Sequence, residues 1–294
     1  NLTHVLVLNK HQHSPLATKI FPPCVLDNLA SSLCKESTNL DIKIDDDDFL
    51  VLTKSVNQLS MGTATRDDTF EKLIAMSVKF DYSFKRVVRA IANWTSELWI
   101  NYLDPLLSNL FSDPDRQINL RWTNTLPTEG GAARPDAILS EKRRLQHDTA
   151  IGHGEAKRYQ GNANNFSLCI DTLRLIIFNK NAIDVHALDA AIAFQVNGFS
   201  LTFFFTRLVA YGTYVFFEIA RFRLPQSLED LHTFVTWKNL KLLLAVNDAV
   251  SRLCKRPTHA RTISSWYRET LPSLQDLVDT SKDQTRTCVM HFGQ

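Results

Sequence analysis

The chain has 294 residues, 44% hydrophobic and 22% charged, enough to bury a sizeable core and to form one large domain with extensions or two smaller ones. Only 9 Gly and 10 Pro exclude a collagen-like or low-complexity chain. Five scattered cysteines, none in a Cys-x-x-Cys pair, point to neither a zinc ribbon nor a disulfide framework. A reduced, intracellular setting, the nucleus included, is the expectation. The chain begins at Asn1, not Met, so targeting is not read from its start.

The net charge of +2 is unevenly spread. Residues 1–130 carry 13 Lys and Arg against 16 Asp and Glu, a net of −3, and residues 131–294 carry 20 against 15, a net of +5. A basic second half suits a phosphate-bearing partner as well as an ordinary solvated surface.

In chain order, residues 1–65 are polar and irregularly patterned, and the run Asp45-Asp46-Asp47-Asp48 reads as a solvated loop. From Asp68 the pattern turns helical. Val87, Val88, Ile91, Trp94, Leu98 and Tyr102 recur at three- and four-residue spacing and predict one buried helix face, kinked or divided at Pro105. Three strands are predicted next, at Ile118–Thr123, Arg134–Ser140 and Thr149–Lys157, the last two as an antiparallel hairpin. Helices are expected over Phe166–Asn179 and His186–Phe194, then strands over Leu201–Val209 and Tyr214–Leu224, joined by Tyr211-Gly212-Thr213. Arg207, Gly212, Glu218 and Arg221 interrupt the apolar stretch Phe199–Phe222, which reads as core and not as a membrane span. A helix from about Leu228 to Cys254 and a short one at Leu271–Val278 complete the pattern. A mixed sheet with helices on both faces is the natural packing.

Chemistry concentrates on the hairpin. Arg134-Pro135-Asp136-Ala137 lies one strand before Gly154-Glu155-Ala156-Lys157. Strand side chains two apart share a face, so Glu155 and Lys157 point together, and an antiparallel neighbour sets Asp136 beside Glu155. Two converging carboxylates repel unless a cation sits between them, and hard oxygen ligands suit Mg²⁺ or Mn²⁺. Lys157 would orient a water or stabilise charge on a phosphoryl group. Glu97, on the preceding helix, is the candidate for a further carboxylate. An acid-x-Lys triplet alone is near chance, since Asp41-Ile42-Lys43 is another. The setting after a Pro-Asp strand is what singles out Glu155 and Lys157.

That order of helix, strand, Pro-Asp strand, Glu-x-Lys strand, helix and strand resembles the PD-(D/E)xK nuclease superfamily, over roughly residues 84–224. The resemblance implies an α/β restriction-endonuclease-like core with a central mixed sheet at 68–255, between a variable, largely irregular region at 1–67 and a polar tail at 256–294. It also implies Asp136, Glu155 and Glu97 as ligands of Mg²⁺ or Mn²⁺ and Lys157 as the catalytic lysine. The activity implied is hydrolysis of DNA, less readily RNA, by a metal-activated water. The alternative is a non-catalytic nucleic-acid- or protein-binding module on the same fold, effector-like or associated with mobile elements. The stretch from Gly154 through Cys169-Ile-Asp-Thr-Leu-Arg-Leu, Phe194-Gln195 and Leu224-Pro225 is also similar to a group of uncharacterised proteins of early-diverging fungi, which implies no activity.

Around this core, Arg134, Lys142, Arg143, Arg144, Arg158 and Arg174 are candidates for phosphate contacts. Gln195 and His153 are candidate supporting residues, each with a structural alternative: a helix-end residue for Gln195 and a strand-edge histidine for His153. Gly152 and Gly154 flank His153 and weaken a regular strand there, a departure for which close approach of a backbone or ligand is one open explanation. The aromatic residues of 199–217 read as sheet core. No nucleophile elbow, phosphate-binding glycine loop or His-Glu-x-x-His helix is present.

Overall fold

The computed structural model describes residues 4–97, 103–122, 134–143, 146–157, 165–256 and 264–268, without the side chains of residues 96–97, 143, 146–148 and 264. The described part is built on a seven-stranded mixed sheet. Its strands are β1 (Val5–Leu8), β2 (Ile118–Trp122), β3 (Ala137–Arg143), β4 (Gln146–Lys157), β5 (Ala190–Asn197), β6 (Ser200–Ala210) and β7 (Thr213–Arg223), in the order β1-β7-β6-β5-β4-β3-β2. The pairs β1·β7 and β4·β5 are parallel and the other four antiparallel. The helices are α1 (Pro15–Ile20), α2 (Pro23–Ser37), α3 (Asp46–Ser60), α4 (Arg66–Ser77), α5 (Tyr82–Glu97), α6 (Asp104–Phe111), α7 (Asn165–His186), α8 (Leu231–Phe234) and α9 (Trp237–Leu253).

The two faces of the sheet follow from strand alternation. Phe194, Phe203 and Phe222 face one way and meet Phe111 of α6 and Phe234 of α8, which in turn holds Trp94 of α5 edge-on at 4.9 Å. His153, Glu155, Gln195 and Thr206 face the other way, toward α7. The mixed α/β architecture with flanking helices is therefore as the sequence pattern predicts, and so are β2, the β3–β4 hairpin, β6 and β7. No helix among the described residues is long and apolar enough to cross a membrane.

Four expectations are corrected. The segment His186–Phe194, read as helical, contains the end of α7 and then β5. Seven of the eight β5 residues are buried, so the strand lies covered on both faces and shows no alternation. Its three alanines imitate helical composition. Second, residues 5–60 are not irregular: β1 pairs in parallel with β7, Val5 opposite Tyr214, and α2 and α3 bury Leu26, Leu33, Leu52 and Val56. Third, the Asp45–Asp48 run is a helix start. Asp45 is the N-cap, accepting from the backbone N–H groups of Asp47 and Asp48, and the next three aspartates occupy the positive end of the helix dipole. Fourth, the helix expected over 228–254 is divided: α8 ends at Phe234, and Thr236 caps α9 by accepting from Asn239 N. Leu98, Tyr102 and the expected helix at 271–278 lie outside the described residues.

Candidate active site

The site forms where β4 ends and α7 begins. Register in the hairpin sets Ala137 opposite Gly154, which brings Asp136, one residue before β3, alongside Glu155. Asp136 Oδ2 accepts from the backbone N–H of Ala156 at 2.9 Å, and its carboxyl is near enough to that of Glu155 to raise the glutamate's pKa. Lys157 projects from the same face as Glu155. Asp136, Glu155 and Lys157 thus lie at the same end of β4, with Lys157 engaged by Asp171.

Two further charged groups come from α7: Asp171, which the sequence reading did not single out, and Arg174, which it expected to contact phosphate. Asp171 Oδ2 lies 2.7 Å from Lys157 Nζ. Lys157 also donates to the carbonyl and hydroxyl oxygens of Ser167. Arg174, one turn beyond Asp171, spans both oxygens of Glu155 at 3.2 and 3.3 Å and lies 3.7 Å from Asp171. It donates as well to the carbonyl of Arg134. Glu155 Oε1 and Asp171 Oδ2 are buried and, although within ion-pair distance of a cation, have no aligned hydrogen bond. The signal for the α7 pair was available: on a helix whose buried stripe includes Leu168 and Leu175, Asp171 falls three residues after the first and four before the second. A carboxylate on a buried stripe requires a partner.

Burial dominates the electrostatics. The Glu155 side chain is 2% exposed. Desolvation pushes its carboxyl up to about 9, against the pull of Arg174 and with the push of Asp136 and Asp171. Desolvation also raises Asp171, against Lys157 and Arg174.

The supporting residues are fixed from behind. Gln195 lies on β5 in register with Glu155, not at a helix end. Its Nε2 donates to the carbonyl of Leu168 at 2.9 Å and its Oε1 accepts from Thr172 Oγ1, so it ties the first turns of α7 to the sheet. His153 is 1% exposed. Its Nδ1 donates to Asn179 Oδ1 at 3.1 Å, and its ring lies 5.2 Å from that of Phe178. It belongs to the polar interior under α7 and is not a strand-edge residue. The two glycines permit close contact of β4 with β5. A Cβ at Gly152 would lie 2.6 Å from the Ile192 carbonyl oxygen, and one at Gly154 would lie 2.1 Å from the Phe194 ring.

Among the described residues, the candidate phosphate contacts do not form one groove. Arg134 is exposed beside the site, whereas Arg174 is engaged within it. Lys142 stands six residues along from Asp136 on β3, about 20 Å away at the rise of a strand. Proximity on one hairpin therefore does not bring its basic end to the carboxylates. Arg144, Arg158 and the side chain of Arg143 lie outside the described residues.

For a metal, Asp136 and Glu155 supply hard oxygen donors, but Glu97, the expected third, closes α5 with its side chain outside the described residues. Among the described residues no group of three His, Cys, Asp or Glu side chains is arranged to hold an ion. The donor pair still fits a divalent cation. Two neighbouring carboxyls, one of them buried, need either a proton or a positive charge, a place that Arg174 takes on the Glu155 side here. Comparison of the chain with protein-family models, with curated proteins and with solved structures gave no match.

Proposed function

We propose that the chain is a metal-dependent phosphodiester hydrolase acting on nucleic acid, DNA before RNA, on a restriction-endonuclease-like core. The observation that carries this reading is the convergence of Asp136, Glu155 and Lys157 at the end of β4. The element order α5, α6, β2, β3, β4, α7, β5 supports it. Asp136 and Glu155 would hold Mg²⁺ or Mn²⁺. When bound, such an ion polarises a phosphoryl oxygen and lowers the pKa of water. Lys157, 35% exposed and braced by Asp171 and Ser167, orients the attacking water and stabilises charge on the phosphate. Gln195 holds the helix start that carries Ser167 and Asp171.

A second reading is favoured by one observation. Arg174 and Lys157 already pair with Glu155 and Asp171 without any metal, which suits a scaffold that binds and does not cleave. The deciding experiment is cleavage of plasmid, single-stranded DNA and RNA with Mg²⁺ and Mn²⁺ by wild type, Asp136→Ala and Lys157→Ala. Hydrolysis lost in both variants supports the catalytic reading. Equal activity in all three proteins refutes the catalytic assignment, and binding without cleavage in wild type establishes the second reading.

A further inference from the structure

We propose that Arg174 is a resident counter-cation of the carboxylate site, which a divalent ion displaces. The inference rests on the reading of Asp136 and Glu155 as ligands. It goes beyond that reading by assigning the helix-borne arginine a competing role instead of a substrate-binding one.

The guanidinium bridges three parts of the site: Glu155 of β4 through both oxygens, Asp171 of α7, and the Arg134 carbonyl that precedes Asp136. An arginine fork is permanently charged and matches a carboxylate in two-pronged fashion. It therefore covers the Glu155 oxygens that a divalent ion would need. Both cations cannot occupy those oxygens at once, since Arg174 presents only donors.

Charge balance indicates which arrangement is favoured. Asp136, Glu155 and Asp171 against Lys157 and Arg174 leave one negative charge when all are ionised. A divalent ion added with Arg174 in place leaves the site at +1, around a glutamate 2% exposed. The same ion with Arg174 withdrawn leaves it neutral, which is the cheaper state at low dielectric. Arg174 has a way out, since its side chain is 23% exposed. Its guanidinium carbon already lies 5.9 Å from the Phe178 ring centre, a surface against which a displaced guanidinium rests.

The test is calorimetric titration of Mn²⁺ into wild type, Arg174→Gln, Arg174→Lys and Asp136→Asn, each checked for folding by circular dichroism. Loss of the competitor should tighten binding on the order of tenfold in Arg174→Gln, the equivalent of one pKa unit of interaction. Arg174→Lys, which keeps the charge and loses the fork, should fall between, and Asp136→Asn should weaken binding. A measurement on wild type alone covers the case in which the glutamine variant does not fold. The rate of phenylglyoxal adduct formation at Arg174, followed by mass spectrometry, should rise several-fold with saturating Mn²⁺. Wild type and Arg174→Gln binding Mn²⁺ equally, or the variant more weakly, overturns the displacement while leaving the metal site intact. So does an adduct rate that Mn²⁺ leaves unchanged. Absence of Mn²⁺ binding in all folded proteins overturns the metal reading itself, and the displacement with it.

Discussion

Glu155→Gln should change how stability depends on pH. The Glu155 carboxyl is raised to about 9 from an ordinary 4.5, chiefly by burial, with Arg174 opposing and Asp136 and Asp171 reinforcing. Between those values the folded protein binds a proton that the unfolded chain has released. Stability is therefore complete below pH 4.5 and is lost as pH rises toward 9. One proton of difference is worth about 1.4 kcal/mol per pH unit. From pH 6 to pH 8 wild type should lose roughly 2–3 kcal/mol more than Glu155→Gln, whose amide does not titrate. Urea unfolding of both proteins at half-unit steps of pH measures that difference, and subtracting the variant removes the contribution of other raised carboxyls such as Asp184 and Asp189. Saturating Mn²⁺ should flatten the wild-type slope, because the ion selects the carboxylate. Parallel curves for the two proteins without metal would refute the account of a buried, protonated glutamate.

Three further outcomes follow from the same geometry. Gly154→Ala should cost about 1–3 kcal/mol through overpacking against Phe194, and Phe194→Leu in the same chain should recover part of it; additive costs would show that the ring is not the obstacle. Gly152→Ala should cost at least as much with no rescue from an Ile192→Val partner, because its Cβ meets the strand carbonyl as well as the side chain, and a neutral melting temperature would contradict the close approach of β4 and β5. Asn179→Ala should destabilise by about 2–4 kcal/mol, since Ala191 O, Thr206 and His153 all lose a buried partner; a change below about 0.5 kcal/mol in urea unfolding would mean that water replaces the amide without cost.

How far the sequence reveals this site depends on which contacts are local. The hairpin of β3 and β4 is local, so alternation alone brings Asp136, Glu155 and Lys157 to one place. The partners of Lys157 and Glu155 are not, because they depend on the rotation of α7 over the sheet, set in part by Gln195 holding Leu168. Arg174 therefore reads in sequence as a candidate phosphate contact, and only the packed helix reveals its carboxylate partners. The edge pair β1·β7 joins residues more than 200 apart, and no periodicity in a four-residue strand announces it. The strand β5 is hidden for the opposite reason: it is buried too completely to alternate.

The polar residues along the buried side of α7 also separate chemistry from architecture. At its far end Lys180, with no exposed side-chain surface, donates to Asp184 and to the Arg268 carbonyl, and Asp184 accepts in turn from the hydroxyl of Tyr214. In the middle, Asn179 accepts from His153 and donates to Ala191 O and Thr206 Oγ1. In each case the central side chain has its donors and acceptors matched within the protein, as a buried polar group requires. The end that meets β4 is different. There three carboxylates face two cations, two carboxylate oxygens lack an aligned hydrogen bond, and Arg174 and Lys157 remain partly open to solvent. A stabilising network has no use for a third carboxyl there, which must take up a proton or a further cation to avoid an excess of buried negative charge. The imbalance on one helix, beside two clusters whose central side chains Asn179 and Lys180 are engaged within the protein, is the physical ground for the function proposed at the end of β4.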